Sequence, residues 1–185
     1  ALGPKILYKF SILILTLSKF KKNVWDALPD DDTFRNVLSA AKLFWNVPTS
    51  SSILCSSGAS ALIALIPFLY AYRTVTIEGP TYSEHETSFR NAGFNLVSKD
   101  GDVQIVVNPN NPDGRLHLKD KVIKNHRQLT IIDESFCDTT QENSLAILTE
   151  KPGFIVLKSF GKFWGLGGVR LGFAVGTKET LDPIH

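Results

Sequence analysis

The chain has 185 residues, of which 43% are hydrophobic and 21% charged, and its formal net charge at pH 7 is +2. This composition is typical of a folded globular domain and excludes a disordered or collagen-like chain. The lysines are scattered among acidic residues, so the charge does not favour a nucleic-acid partner. The length fits one domain, or one domain with a fragment of a second.

An apolar run over residues 6–17 is interrupted by Lys9 and is shorter than the ~20 residues that cross a bilayer. No small-residue cleavage site follows it, so we expect neither a membrane span nor a secretory signal. Cys55 and Cys137 lack the close spacing of a zinc or redox pair. We therefore predict two free, buried cysteines in a reducing compartment, a cytoplasmic location and no metal site.

From about residue 50 onward, short apolar segments alternate with helical ones. The predicted strands are Ser52–Cys55, Thr74–Ile77, Asn95–Ser98, Val103–Val107, Leu129–Ile132, Phe154–Leu157 and Val169–Val175. The predicted helices are Thr33–Phe44, Ala59–Tyr70, Ser83–Ala92, Leu118–Arg127 and a less regular Ser144–Leu148. Continuous apolar runs are typical of strands buried on both faces. The pattern predicts an α/β fold, a three-layer sandwich with a mostly parallel seven-stranded sheet.

Polar and glycine-rich segments follow several of these strands, at the edge where open α/β sheets bind ligands. Gly58, Ala59 and Ser60 begin a predicted helix, and free amides at such a position suit a phosphate. On this motif alone, a glycine turn with a serine cap is the simpler interpretation. Two Asn-Pro pairs between Asn108 and Gly114 fix the asparagine side chains of the next loop.

Two charged residues follow the next two predicted strands. Asp133 ends a buried strand, where an acid needs a cation or a hydrogen-bond donor, although a helix cap is the competing interpretation. Lys162 lies between aromatic residues in a loop that continues through Gly165 and Gly168 to Arg170. We expect its amine to be desolvated and therefore a good nucleophile. The glycines lead into a strand rather than a helix, which excludes a dinucleotide fingerprint.

In their order and placement, these four motifs resemble those of the aminotransferase-like, fold-type-I pyridoxal-phosphate enzymes, over roughly residues 25–176. The interval of eight between Lys162 and Arg170 is part of the likeness. The resemblance implies pyridoxal 5'-phosphate as the cofactor. It implies that Lys162 bonds covalently to the cofactor aldehyde and later moves protons at the substrate carbon. Asp133 would pair with the protonated pyridine nitrogen and keep the ring an electron sink.

The resemblance assigns further roles around the same cofactor. Tyr82, also implied as catalytic, would stack on the ring, and Asn111 would hydrogen-bond the phenolic oxygen. The phosphate group would be held by the helix start and two further side chains. These implied phosphate-binding residues are Gly58, Ala59, Ser60, Ser159 and Arg170.

Within this family, Asp113, Phe136 and Gly161 favour similarity to threonine-phosphate decarboxylases of cobalamin biosynthesis. Histidinol-phosphate aminotransferases, which are related enzymes, usually carry threonine, tyrosine and serine at these positions. The implied reaction is decarboxylation of L-threonine O-3-phosphate, a small phosphorylated amino acid, to aminopropanol phosphate. An aminotransferase and a non-catalytic cofactor-binding remnant stay open as alternatives.

We predict three regions. Residues 1–50 form an N-terminal segment with one helix, residues 51–178 a cofactor-binding large domain, and residues 179–185 the start of a truncated C-terminal region. The resemblance implies a homodimer and a second, smaller domain with an arginine for the substrate carboxylate. The chain ends at His185, so no such arginine can be named.

Overall fold

A seven-stranded sheet forms the centre of the computed structural model, which describes Leu28 and residues 30–185. The apolar run over residues 6–17 lies outside the described residues. In chain order the strands are β1 Ser52–Ser56, β2 Thr74–Ile77, β3 Asn95–Leu96, β4 Val103–Val107, β5 Leu129–Asp133, β6 Phe154–Ser159 and β7 Gly172–Gly176. Their order across the sheet is β1-β7-β6-β5-β4-β2-β3, and β7 runs antiparallel to both of its neighbours.

Helices cover both faces of the sheet. They are α1 Asp31–Phe44, α2 Ala59–Leu69, α3 Ser83–Asn91, α4 Lys119–Asn125 and α5 Lys178–Leu181. Single 3₁₀ turns lie at Cys137–Thr139, Gln141–Asn143, Ala146–Glu150, Gly167–Val169 and Asp182–Ile184. α1 begins where Asp30 accepts a hydrogen bond from the Thr33 amide at 2.7 Å, as the preceding aspartates predict.

The core has two layers because successive side chains of a strand point to opposite faces. Ile131 packs with α2 and α3 through Leu62 and Phe89. Its neighbour Ile132 packs on the other face, in a cluster that includes Trp45, after the end of α1, and Val122 of α4. The three layers confirm the predicted fold class.

Two predicted elements differ from the structure, and the other boundaries agree within two residues. The last strand was predicted from Val169, but Arg170 has φ 53°, a left-handed conformation that a strand cannot contain, and β7 begins only at Gly172. The helix predicted at Ser144–Leu148 is the 3₁₀ turn Ala146–Glu150. It starts late because the Leu145 amide donates to the Glu134 carboxylate at 2.6 Å.

The cysteines are both free, but they differ in burial. Cys137 is fully buried, and burial raises the pKa of its thiol to about 12. Cys55 on β1 is only half-buried, so the prediction of two buried cysteines is confirmed for Cys137 alone. Among the described residues, no helix has the length and apolar character that crossing a bilayer requires.

Gly172 is required where β7 passes the start of α2, because a Cβ there would overlap the Ala59 backbone nitrogen. Gly172→Ala therefore has to displace α2. We expect it to lower the free energy of unfolding by about 1–3 kcal/mol, measured by urea denaturation. Gly168→Ala is the matched control, since a Cβ at Gly168 meets no atom within 4 Å. Equal unfolding midpoints for the two variants would contradict the packing described here.

Candidate active site

Residues at the ends of five strands, or in the segments that follow them, meet at the carboxyl ends of the parallel strands, where α/β sheets bind ligands. Two small cavities adjoin each other there, and Ala59, Ser60, Ser159 and Lys162 line both. Together the two cavities bring together all nine residues predicted for the site. These are Gly58, Ala59, Ser60, Tyr82, Asn111, Asp133, Ser159, Lys162 and Arg170.

Asp133 supplies a buried carboxylate at the end of β5, only 3% exposed. Its Oδ2 lies 2.9 Å from His85 Nε2, and its Oδ1 accepts hydrogen bonds from the Ser135 amide at 2.9 Å and hydroxyl at 2.6 Å. Burial acts to raise the pKa of Asp133, but the hydrogen bonds and the charge of His85 outweigh it and leave the pKa below 3.8. Asp133 is therefore ionised at neutral pH although it is almost fully buried.

Sequence inspection missed His85, which makes this ionisation possible. His85 lies on α3, is 1% exposed, and packs edge-on against the Tyr82 ring with the ring centroids 6.0 Å apart. The spacing of three between Tyr82 and His85 was the available signal, because such a spacing brings side chains together at a helix. Nothing local in the sequence links His85 to Asp133.

Glu134 follows Asp133, but its side chain lies on the opposite face of the sheet. Its Oε2 lies 2.5 Å from Lys158 Nζ, and both side chains are at most 1% exposed. The Ser144 hydroxyl and the Leu145 amide also donate to this carboxylate, at 2.7 and 2.6 Å. A buried ion pair is tolerated when further hydrogen bonds satisfy its atoms. This pair fixes the loop after β5 from behind the cavity, and sequence inspection missed it too.

The other end of the site is suited to an anion. Gly58 caps α2 without a side-chain hydrogen bond, so the amides of the first turn are available to a ligand. The Arg170 guanidinium lies against Gly58, where a Cβ would come within 2.8 Å of Nη2, and the φ of 89° at Gly58 also favours glycine. With the Ser159 hydroxyl in the same cavity, these groups form a donor set that fits a phosphate group.

The walls between these two ends are aromatic. Tyr82 lines the cavity, and burial, followed by the nearby charges of Glu84 and Asp133, raises the pKa of its hydroxyl. Lys162 Nζ lies 5.5 Å from the centroid of the Phe136 ring, a cation–π contact. The Lys162 side chain is exposed, so the prediction of a desolvated amine is wrong for the described residues.

Comparison with known proteins identifies the class. Residues 38–102 and 97–184 match the family model of aminotransferase class I and II, and the chain belongs to this family. It is 35% identical over 186 residues to a threonine-phosphate decarboxylase of Pseudomonas aeruginosa, covering 91% of this chain and 54% of that one. It is 29% identical over 140 residues to histidinol-phosphate aminotransferase 1 of Trichormus variabilis, covering 70% and 39% respectively.

A solved structure shows the same fold. The histidinol-phosphate aminotransferase of Sinorhizobium meliloti, in complex with pyridoxal-5'-phosphate, superposes with a TM-score of 0.72 at 19% identity, covering 98% of this chain and 55% of that one. The family model thus confirms the predicted family, and the solved structure confirms the fold. The chain spans about half the length of the curated decarboxylases it matches.

The lowered pKa of Asp133 has a definite effect on stability. A carboxyl with a lowered pKa stabilises the folded state above its unfolded value, here 3.8, and this contribution disappears as the pH falls through the lower native value. We expect Asp133→Asn to lower the free energy of unfolding by about 2 kcal/mol at pH 7. The difference from wild type should shrink below pH 3.8, as measured by urea denaturation across pH.

The control for this experiment is Asp120→Asn, at an exposed position on α4. We expect it to change stability by less than about 0.5 kcal/mol at every pH. A difference for Asp133→Asn that stays constant down to pH 2 would contradict an ionised, His85-paired carboxylate.

Proposed function

We propose that the chain is the cofactor-binding part of a pyridoxal-phosphate-dependent decarboxylase acting on L-threonine O-3-phosphate. The product would be aminopropanol phosphate, in cobalamin biosynthesis. The observation that carries the cofactor proposal is the arrangement in one place of an ionised buried acid, a free lysine amine and an anion site. The choice of reaction is supported by the 35% identity to decarboxylases over nine-tenths of the chain.

The residues present fit the cofactor's two ends. Arg170, Ser159 and the first-turn amides of α2 would hold its phosphate group, which carries negative charge at neutral pH. The Asp133 carboxylate, kept ionised by His85, would hold a proton on the pyridine nitrogen. When bound, pyridoxal phosphate supplies an electron sink for the bond that breaks at the substrate carbon.

Three further side chains would act around the ring. Tyr82 would stack on one face, and Asn111 would donate a hydrogen bond to the phenolic oxygen. Lys162 would bind the cofactor aldehyde and, once released from it, return a proton to the substrate carbon after carbon dioxide leaves. Its exposed amine suits this movement, because no hydrogen bond within the described chain restrains it.

Phe136 is the feature that favours decarboxylation over transamination. It lines the cavity with a ring and offers no hydroxyl there, while Asp113 and Gly161 also carry the decarboxylase-like pattern. A histidinol-phosphate-type aminotransferase is the second candidate, supported by the 29% identity to one such enzyme. A non-catalytic cofactor-binding remnant is the third candidate.

The remaining parts of the proposal concern assembly and organisation. We propose a cytoplasmic homodimer with residues 51–178 as the large domain, and a small phosphorylated amino acid as the substrate. α1 and Trp45 pack into the same core cluster as Phe173 of β7, so the N-terminal helix would accompany the large domain.

Cofactor binding is tested by adding pyridoxal phosphate to the protein and recording its absorbance near the edge of the visible range. We expect wild type to gain a band that Lys162→Ala lacks, because the covalent attachment needs the Lys162 amine. Lys151→Ala, an exposed lysine without a side-chain hydrogen bond among the described residues, is the control and should keep the band. Absence of this band in the wild-type protein would contradict the cofactor proposal.

The reaction is tested by supplying L-threonine O-3-phosphate to the cofactor-loaded protein and measuring carbon dioxide. We expect release in wild type and a rate at least about 100-fold lower in Lys162→Ala, since a positioned proton-transfer group contributes that much. Consumption of 2-oxoglutarate without carbon dioxide would assign the aminotransferase function instead. Cofactor binding with neither reaction would favour the remnant.

A further inference from the structure

The cavity's stacking ring and its amide wall come from two separate loops. Tyr82 ends the Tyr82 loop (residues 78–82), which follows β2, and Asn111 belongs to the Asn111 loop (residues 108–115), which follows β4. β2 and β4 are neighbouring parallel strands, so the two loops leave the sheet side by side. The gap between Tyr82 and Asn111 therefore depends on how the two loops are joined beyond the ends of the strands.

Asn110 joins the loops through its side chain, which is 4% exposed. Its Oδ1 accepts a hydrogen bond from the Thr81 hydroxyl at 2.6 Å. Its Nδ2 donates to the Pro80 carbonyl at 3.0 Å and to Asp113 Oδ1 at 2.7 Å. Both amide protons are thus used, and two of the three bonds cross to the Tyr82 loop.

The same residue also organises its own loop. The Asn110 amide donates to the Arg115 carbonyl, and the Gly114 amide donates to the Asn110 carbonyl, both at 2.8 Å. Asp113 Oδ1 accepts from the Arg115 amide at 3.0 Å as well as from Asn110. The Arg115 amide and then Asn110 lower the pKa of Asp113, so at neutral pH it is a charged acceptor. Charged acceptors make the stronger hydrogen bonds.

The hydrogen bonds of Asn110 and Thr81 matter because each of these residues lies next to a cavity-lining residue in the sequence. Thr81 immediately precedes Tyr82, and Asn110 immediately precedes Asn111. We propose that Asn110, with Thr81 and Asp113, is a positioning latch that sets the separation of Tyr82 and Asn111 across the cavity. None of the three latch residues lines the two cavities, so the latch would act through the two residues that follow Thr81 and Asn110. This inference rests on the proposed function only for its effect on cofactor binding.

The molecule provides a matched control at the opposite edge of the sheet. The Thr74 hydroxyl donates to Asp102 Oδ2 at 2.7 Å and accepts from the Asp102 amide at 2.9 Å. This contact joins the amino ends of the same two strands, away from the cavity. Thr74→Val and Thr81→Val are the same substitution, each removing a threonine hydroxyl that links β2 to β4 or their adjoining segments.

The first measurement needs no cofactor. We expect Thr81→Val to speed hydrogen exchange of the Asn110 and Gly114 amides at least about tenfold relative to Thr74→Val, because local opening no longer breaks the latch bond. Unchanged exchange at these amides would overturn the latch, whatever the protein binds. Asn110→Asp, which keeps the shape but removes both amide donors, should show the same acceleration.

The second measurement uses pyridoxal phosphate. We expect about tenfold weaker binding in Thr81→Val and a shifted pH midpoint of its absorbance band, whereas Thr74→Val keeps both wild-type values. If both variants lose affinity and shift the pH midpoint only in proportion to their loss of stability, Thr81 has a purely structural role and the proposal is overturned. Absence of the absorbance band in the wild-type protein would overturn the proposed function. The hydrogen-exchange experiment would then test by itself whether the latch exists.

Discussion

The Asp133 carboxylate is charged although it is almost fully buried, and much of the surrounding structure follows from that. A buried carboxylate without partners would take up a proton rather than stay ionised. His85 has to reach it, so α3 must pack with that residue facing the sheet, and Phe89 one turn later fills the core beside it. Ser135 satisfies the second oxygen and thereby bends the chain away from β5. The buried Asp133, the packing of α3 and the turn after β5 therefore depend on one another.

The adjacent acids Asp133 and Glu134 have different partners because successive side chains point to opposite faces of the sheet. Asp133 turns toward the cavity, while Glu134 turns toward Lys158 behind the sheet. Removing either partner of the rear pair would leave a charge buried and uncompensated, which is costly in a protein interior. The rear pair joins the ends of β5 and β6 just before the segments that carry Phe136 and Lys162. The Glu134–Lys158 pair therefore holds the strand ends behind the cavity, while the Lys162 side chain in front of it is exposed.

Much of this architecture could be predicted from local sequence. The central strands appear as continuous apolar runs such as Val103–Val107, and the order of motifs at the strand ends was enough to name the residues that line the cavity. What could not be predicted depends on partners distant in sequence. His85 lies 48 residues from Asp133 and Lys158 lies 24 from Glu134, so no local pattern links them. The start of β7 was misplaced because only the folded loop reveals that Arg170 has a left-handed backbone.

The single reversed strand of the sheet has a mechanical consequence. β6 and β7 form an antiparallel pair, so the loop between them leaves and re-enters the sheet at the same edge, with Lys162 and Arg170 both on it. The distance between these two cations is set within one hairpin. Tyr82 and Asn111, by contrast, lie in loops that follow two different strands, and the Asn110 side chain hydrogen-bonds one loop to the other. The backbone of one side of the cavity is therefore built on a single hairpin, whereas the other side is assembled from two loops joined by side-chain hydrogen bonds.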